Sequence, residues 1–145
     1  MKVIVVSGTP GTGKTTIARR IANVHRYKYV DGNAVIRRFH LAEGFDKALR
    51  TKIVDPKRFV RSLIGYINAS REKGLVIDSH LSHELPSRYV DECIITKTSI
   101  LKLRDRLRKR GYPKRKIEEN VDAENLDVCL NEAREQKHKI RVVRT

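Results

Sequence analysis

Apolar residues along this chain gather in short runs that alternate with stretches of helical period. Val3 to Val6 is a β-branched run bounded by Gly8, the signature of a strand buried on both faces. Beyond the glycines, Ile17, Ala18, Ile21 and Ala22 recur at helical spacing while Arg19, Arg20 and Asn23 fall on the opposite side, which predicts an amphipathic helix. Tyr27 to Val30 reads as a second strand. Residues 31–54 have mixed character and little clean periodicity, which predicts mobile helical pieces. Asp55 as N-cap and Pro56 at the first helical position start a helix with the apolar stripe Phe59, Val60, Leu63, Ile64 and Ile67, and Gly74 is expected to stop it. Leu75 to Asp78 and Cys93 to Thr96 suit further buried strands, separated by a polar loop from Ser79 to Pro86.

The last third is helical. Thr98 or Ser99 can cap a helix carrying Ile100, Leu103 and Leu107, and Gly111 followed by Pro113 ends it. From Lys114, Ile117 and Val121 share one face whereas Leu126, Cys129, Leu130 and Ala133 share another, so this segment is bent or made of two pieces. Lys139 to Val143 makes a weak last strand. Strands alternating with helices predict an α/β fold with a parallel sheet, right-handed crossovers and ligands at the carboxyl ends of the strands.

Length and composition narrow the picture. The 145 residues, 39% apolar and 34% charged, fit one folded domain over residues 1–145, with no repeat and no Gly/Ser linker. The four-residue run at Val3 is far too short for a membrane span or a signal-peptide core. Cys93 and Cys129 lack metal-ligand spacing, and His80, His83 and Cys93 make a poor zinc set in count and spacing. Buried thiols in a reducing, cytoplasmic compartment are expected. A net charge of +15 makes nucleic acid a candidate partner, although charge alone serves solubility equally well.

The chemistry is carried by Gly8-Thr9-Pro10-Gly11-Thr12-Gly13-Lys14-Thr15, which fits G-x-x-x-x-G-K-[ST] between a predicted strand and a predicted helix. In such a P-loop, glycines let successive backbone N–H groups turn toward phosphate oxygens, and the helix beginning near Gly13 adds its positive dipole end. Lys14 is expected to neutralise the β- and γ-phosphates, and Thr15 to place its hydroxyl on Mg²⁺. Asp78, closing the Leu75–Ile77 run, can reach the metal or its water shell, or simply cap the next turn. His80 can orient a water or an acceptor hydroxyl, or be an ordinary loop histidine. Arg106 and Arg110 lie four apart before Gly111, on one helix face, from which they can swing onto a triphosphate or remain a solvated basic face.

The P-loop Gly8 to Thr16, the Asp78-Ser79-His80 triplet and Arg106-Leu-Arg-Lys-Arg110-Gly-Tyr together resemble the adenylate kinase isoenzyme 6 family, over residues from Lys2 to about Val143. The resemblance implies a P-loop NTPase of the nucleoside-monophosphate-kinase type, with a five-stranded parallel sheet and flanking helices. It implies an AMP-binding segment at about Gly32 to Val54 and a short lid at about Lys109 to Glu119. By the same resemblance, Gly11, Thr12, Gly13, Lys14, Thr15 and Thr16 form the ATP-phosphate loop. Arg110 is the lid arginine, Arg37 the arginine of the AMP segment, and Asp78 and His80 the metal-side Asp and the ATPase-linked His. The implied activity is Mg-ATP-dependent adenylate kinase and ATPase, acting in late maturation of the small ribosomal subunit. Small-subunit rRNA and a ribosomal protein of the uS11 type are the implied partners.

The chain departs from the family pattern in two places. Residues 32–58 are strongly basic, with Arg37, Arg38, Lys47, Arg50, Lys52, Lys57 and Arg58, where relatives carry acidic residues. A C-terminal helix covering the sheet is common in relatives and has no counterpart before Thr145, which predicts apolar sheet surface that is exposed or covered by a partner. Two alternatives to the adenylate kinase reading are a kinase for another small acceptor and an ATP-switched RNA or ribosomal-protein assembly chaperone.

Overall fold

The computed structural model describes residues 1–145. Its centre is a parallel sheet of five strands in the order β2 (Lys28–Asp31), β5 (Gly74–Asp78), β1 (Lys2–Ser7), β6 (Glu92–Lys97) and β7 (Ile140–Arg144). The β-branched run of the first strand has neighbours on both edges and is buried from Val3 to Ser7, because β1 lies in the middle of the sheet.

Helices cover both faces. On one, α1 (Lys14–His25) packs Ala18 and Ala22 against Ile4, Val6, Val76 and Ile94. On the other, α3 (Pro56–Ala69) buries Phe59, Leu63 and Ile67 in the larger core with Val3, Val5, Leu75 and Ile77. Asp55 caps α3 by accepting from the Lys57 N–H, as the sequence predicts. Gly74, however, does not stop it. The helix ends at Ala69, and Gly74 opens β5, where a side chain would lie 2.5 Å from the Tyr27 ring.

Residues 31–54 are the other correction. Helical pieces account only for α2 (Gly32–Arg38), capped by Asp31 and burying Val35 and Ile36. The remainder is an antiparallel hairpin of β3 (Ala42–Asp46) and β4 (Thr51–Val54), joined by a turn in which the Asp46 carboxylate accepts from the Leu49 N–H. Phe45 and Ile53 are both exposed on this hairpin, so no buried face imposes the alternation by which a strand is recognised.

After β6, Ser99 caps α4 (Ile100–Lys109), and Gly111 takes the left-handed conformation that ends the turn before α5 (Lys114–Asn125). Leu103 and Leu107 of α4 meet Ile117 and Val121 of α5 in a small core of their own. The expected bend is a full break: Asp127 adopts φ 53, and α6 (Val128–Glu135) starts a new axis that places Leu130 and Ala133 in the main core. Val142 on β7 is 40% exposed. Cys93 is buried, Cys129 half-buried, and both are free. No helix is long and apolar enough to cross a membrane.

Glu124 fastens this helical hairpin to the sheet. It lies three residues after Val121 on the buried face of α5, where one carboxylate oxygen is 3.0 Å from Lys97 Nζ and accepts from the Thr9 hydroxyl, and the other accepts from the Thr98 N–H. Asp127 contacts the same ammonium from a far more exposed position. Glu124→Ala strands a buried ammonium, a hydroxyl and an amide together, so it should cost about 3 kcal/mol or more in urea unfolding. Asp127→Ala should cost about 1 kcal/mol or less.

Candidate functional site

The site is built where β1 and β5 end side by side. Val6 pairs with Asp78, so the loop leaving β1 passes directly beside the Asp78 carboxylate. Three loop glycines hold positive φ: Gly8 at 145, Gly11 at 92 and Gly13 at 90. At Gly8 the reason is close approach as well as angle, because a β-carbon there would lie 2.5 Å from the Thr96 hydroxyl and 2.7 Å from its carbonyl oxygen. Gly11 sits against Leu103 and Leu107, so α4 forms the floor under the loop.

Thr12 faces inward. Its hydroxyl donates to the Thr9 carbonyl at 2.6 Å and meets the Thr96 hydroxyl at 2.7 Å, and its N–H also bonds Thr9. It therefore shapes the loop and leaves the open amides to its neighbours. Gly13 is the N-cap of α1, which puts the unpaired N–H groups of that helix's first turn at the mouth of the loop.

The acidic side is compact. Asp78 Oδ2 accepts from the Thr15 hydroxyl at 2.7 Å and from the Tyr29 hydroxyl at 2.6 Å. Burial, and then the Asp78 hydrogen bond, push the Tyr29 phenol up to about 12, so it stays a donor at any physiological pH. A carboxylate and an alcohol oxygen side by side are the hard donors that Mg²⁺ accepts, and they leave its other positions to water and phosphate. The residues present thus fit that ion.

Lys14 bends back over the loop and donates to the carbonyls of Gly8 at 3.0 Å and Thr9 at 3.3 Å. Burial pulls its ammonium down to about 8, against the opposing attraction of Asp78. His80 stands in the turn just after β5, with an exposed surface. The crowding of protein around its ring, and then the Lys14 charge, hold the imidazole below its ordinary value and therefore neutral at pH 7.

On the other side of the loop lies an open groove of about 580 Å³, lined by Arg20, Arg106, Lys109, Arg110 and Arg144 together with Thr145 and loop residues. It has no acidic residue in its wall. Arg106 donates to the Gly11 carbonyl at 3.1 Å and to the Thr145 hydroxyl at 3.0 Å, which binds the end of α4 to the loop. Arg106 and Arg110 thus share this groove, as their spacing predicts. Arg37 does not join it: it is exposed on α2 and its guanidinium makes no hydrogen bond, although α2 starts where Gly32 packs on Ser79.

The sequence reading missed Tyr29, Glu124, Arg20 and Arg144. Tyr29 needs the β2–β5 pairing to be known, whereas Glu124 carried a signal, since it continues the buried Ile117–Val121 face. His83, weighed with His80 and Cys93 as zinc ligands, does not group with either of them. Its ring bonds Ser7 and Glu132.

Residues 4–127 match the family model described as AAA domain. A Schizosaccharomyces pombe protein described as "Adenylate kinase isoenzyme 6 homolog" is 36% identical over 133 residues, 91% of this chain and 74% of that protein. A Dictyostelium discoideum protein of the same description is 34% identical over 131 residues, covering 90% and 73%. Among solved structures, shikimate kinase from Acinetobacter baumannii superposes with a TM-score of 0.62 at 15% identity, covering 100% of this chain and 85% of that one. A gluconokinase from Sinorhizobium meliloti gives 0.58 at 18% identity, covering 99% and 81%. These two likenesses confirm the P-loop kinase fold.

The loop's shape yields a direct expectation. Gly8→Ala should lower stability by about 2–4 kcal/mol in chemical denaturation, because the added methyl meets both strain and the Thr96 backbone. Gly111→Ala, at positive φ but with open space around it, should cost less.

Proposed function

The chain belongs to the adenylate kinase isoenzyme 6 family, and from that premise we propose that it is a phosphotransferase moving the γ-phosphoryl group of Mg-ATP onto AMP, and onto water when AMP is absent. The observation that carries the reading is the convergence of the Lys14 ammonium, the Thr15 hydroxyl and the Asp78 carboxylate at the end of β1 and β5, beside a groove walled by arginines. Thr15 and Asp78 would hold Mg²⁺, which when bound neutralises charge on the phosphates. Lys14 trades its bonds to the Gly8 and Thr9 carbonyls for phosphate oxygens. Amides of Gly11 and Gly13 and the first turn of α1, through Thr16, receive the same phosphates, while Arg106 and Arg110 offer planar, two-pronged donors to the chain of oxygens. Catalysis is then mostly positioning and charge stabilisation.

The segment 32–54 would receive AMP, with Arg37 on its phosphate. Residues 109–119, the turn at Gly111 and the start of α5, would serve as the lid. His80, neutral and exposed, suits the orientation of an attacking water and supports the ATPase branch.

Beyond the reaction, we place the protein in the cytoplasm, in late maturation of the small ribosomal subunit, with small-subunit rRNA and a ribosomal protein of the uS11 type as partners. The family membership and the +15 charge support this. The basic string 104–116 contributes less than its composition suggests, since Arg104 pairs with Glu118, Lys109 with Asp105 and Arg115 with Glu119. A second reading, an ATP-switched assembly chaperone with incidental kinase activity, draws on the same charge.

An assay of ADP formed from ATP with and without AMP separates these readings. AMP should accelerate ADP formation severalfold, and Lys14→Ala should abolish turnover in a folded protein. Arg37→Ala should raise KM for AMP, whereas Arg110→Ala should lower kcat with either acceptor. Turnover indifferent to AMP would favour the chaperone, and unchanged turnover in Lys14→Ala would remove the P-loop from the mechanism.

Lys14 also sets a pH dependence. Its free-state value of about 8 rises when phosphates surround it, so ATP binding takes up a proton above that pH. ATP affinity should be level below about pH 7 and fall up to about tenfold per pH unit above pH 8. Titration calorimetry at several pH values reads this directly, and Lys14→Met should flatten the curve.

A further inference from the structure

Behind the loop, three side chains that the proposed phosphoryl transfer does not use converge on one point. His83, in the loop between β5 and β6, is 1% exposed. Its Nε2 lies 3.1 Å from an oxygen of Glu132 on α6 and 3.3 Å from an oxygen of Glu84. Atoms able to ligate an ion, one from each residue, all fall within 4.8 Å of one another.

The three groups find their charged partners in one another. One imidazole nitrogen carries at most one proton, yet two carboxylates face it. The chain has 32 Lys and Arg, but the only ion-pair partner within 4.0 Å of either carboxylate is His83 itself.

The ring is also held as a ligand would be. Its Nδ1 is 2.6 Å from the hydroxyl of Ser7, the last residue of β1, so the tautomer with its proton on Nδ1 donates to Ser7 and leaves the Nε2 lone pair free. The His83 carbonyl accepts from His138 Nε2 at 2.8 Å, which fixes the backbone behind it. The other nitrogen of that histidine is the one buried side-chain polar atom in the chain without a partner.

We propose that His83, Glu84 and Glu132 bind a divalent transition-metal ion of the Zn²⁺ class, at a site separate from the Mg²⁺ that accompanies ATP. One imidazole and two carboxylates are a borderline donor set suited to Zn²⁺ or Co²⁺ rather than to Ca²⁺, and three protein ligands leave a position for water. The ion would join the β5–β6 loop to α6, and through Ser7 it would stiffen the strand end from which Gly8 departs. The proposal does not depend on which acceptor the enzyme uses.

Titration of the chelator-treated full chain with Co²⁺, in the absence of nucleotide, tests it. One equivalent should bind with visible d–d absorption and be displaced by Zn²⁺. Glu84→Gln and Glu132→Gln, both at half-buried positions, should each weaken binding at least about tenfold, and Ser7→Ala, through the ring's second nitrogen, about 10- to 100-fold. Asp78→Asn should leave stoichiometry and affinity unchanged. No Co²⁺ bound at micromolar concentration overturns the proposal. So does full binding by a Glu84→Gln/Glu132→Gln double variant with wild-type circular dichroism. An intense near-ultraviolet thiolate band would assign the ion to Cys129 and overturn it equally.

Discussion

The contact on which the site most depends is the buried carboxylate of Glu124. It binds the first loop threonine, the amide that follows β6 and the Lys97 ammonium at once, so three segments far apart in sequence meet at one side chain. Burying a charge in this way is worthwhile only when every partner is present. The shape of the loop therefore cannot be separated from the docking of α5. Gly11 makes the dependence mutual, since Leu103 and Leu107 of α4 lie directly against it. The helix that carries Arg106 is thus built directly on the loop beside the groove.

Charge is sorted across the loop. On the β5 side Asp78 is satisfied by two hydroxyl donors and no cation, which keeps its second oxygen and the Thr15 oxygen available to a small hard ion. On the α4 side the groove is walled by cations with no acid among them. Lys14, held between, has already lost much of its hydration to burial, so its charge acts at short range in a low-dielectric setting. A triphosphate laid along the loop would find an ion-binding edge at one end and guanidinium donors at the other. The protein supplies that polarity before any ligand arrives, as preorganised electrostatic catalysis requires.

How far this was legible in the sequence depended on whether burial leaves a trace. Val3–Val6, Leu75–Asp78 and the Phe59–Ile67 stripe face the core, and their patterns give the sheet and its main helix directly. The P-loop was legible because its chemistry needs fixed residues at fixed spacing. Residues 42–54 were not, because Phe45 and Ile53 are exposed and the hairpin buries no face that would enforce alternation. Gly74 was misread as a helix stop because close packing on the Tyr27 ring and a helix end call for the same residue. Tyr29 and the His83 cluster depend on pairings between elements, which no local pattern encodes.

The hairpin and the helical tip that the proposed reaction uses are not independent. Lys116, at the start of α5, stacks over Tyr112 at 4.1 Å and donates to the Arg50 carbonyl in the hairpin turn at 3.1 Å. The hairpin is otherwise a two-stranded ribbon outside the main sheet, and such ribbons are marginal by themselves. The turn at Gly111 has open space around it, whereas the rest of the α4–α5 pair is held by Glu124 and the small leucine core. The room for closure in this fold therefore lies at the tip of the helical pair and in the hairpin, which touch each other. An acceptor that orders the hairpin would shift the tip through Lys116, and by thermodynamic reciprocity a triphosphate that closes the tip would favour the ordered hairpin. Coupling of this kind would make closure respond to the pair of substrates more than to either one alone, which limits the exposure of the transferring group to water.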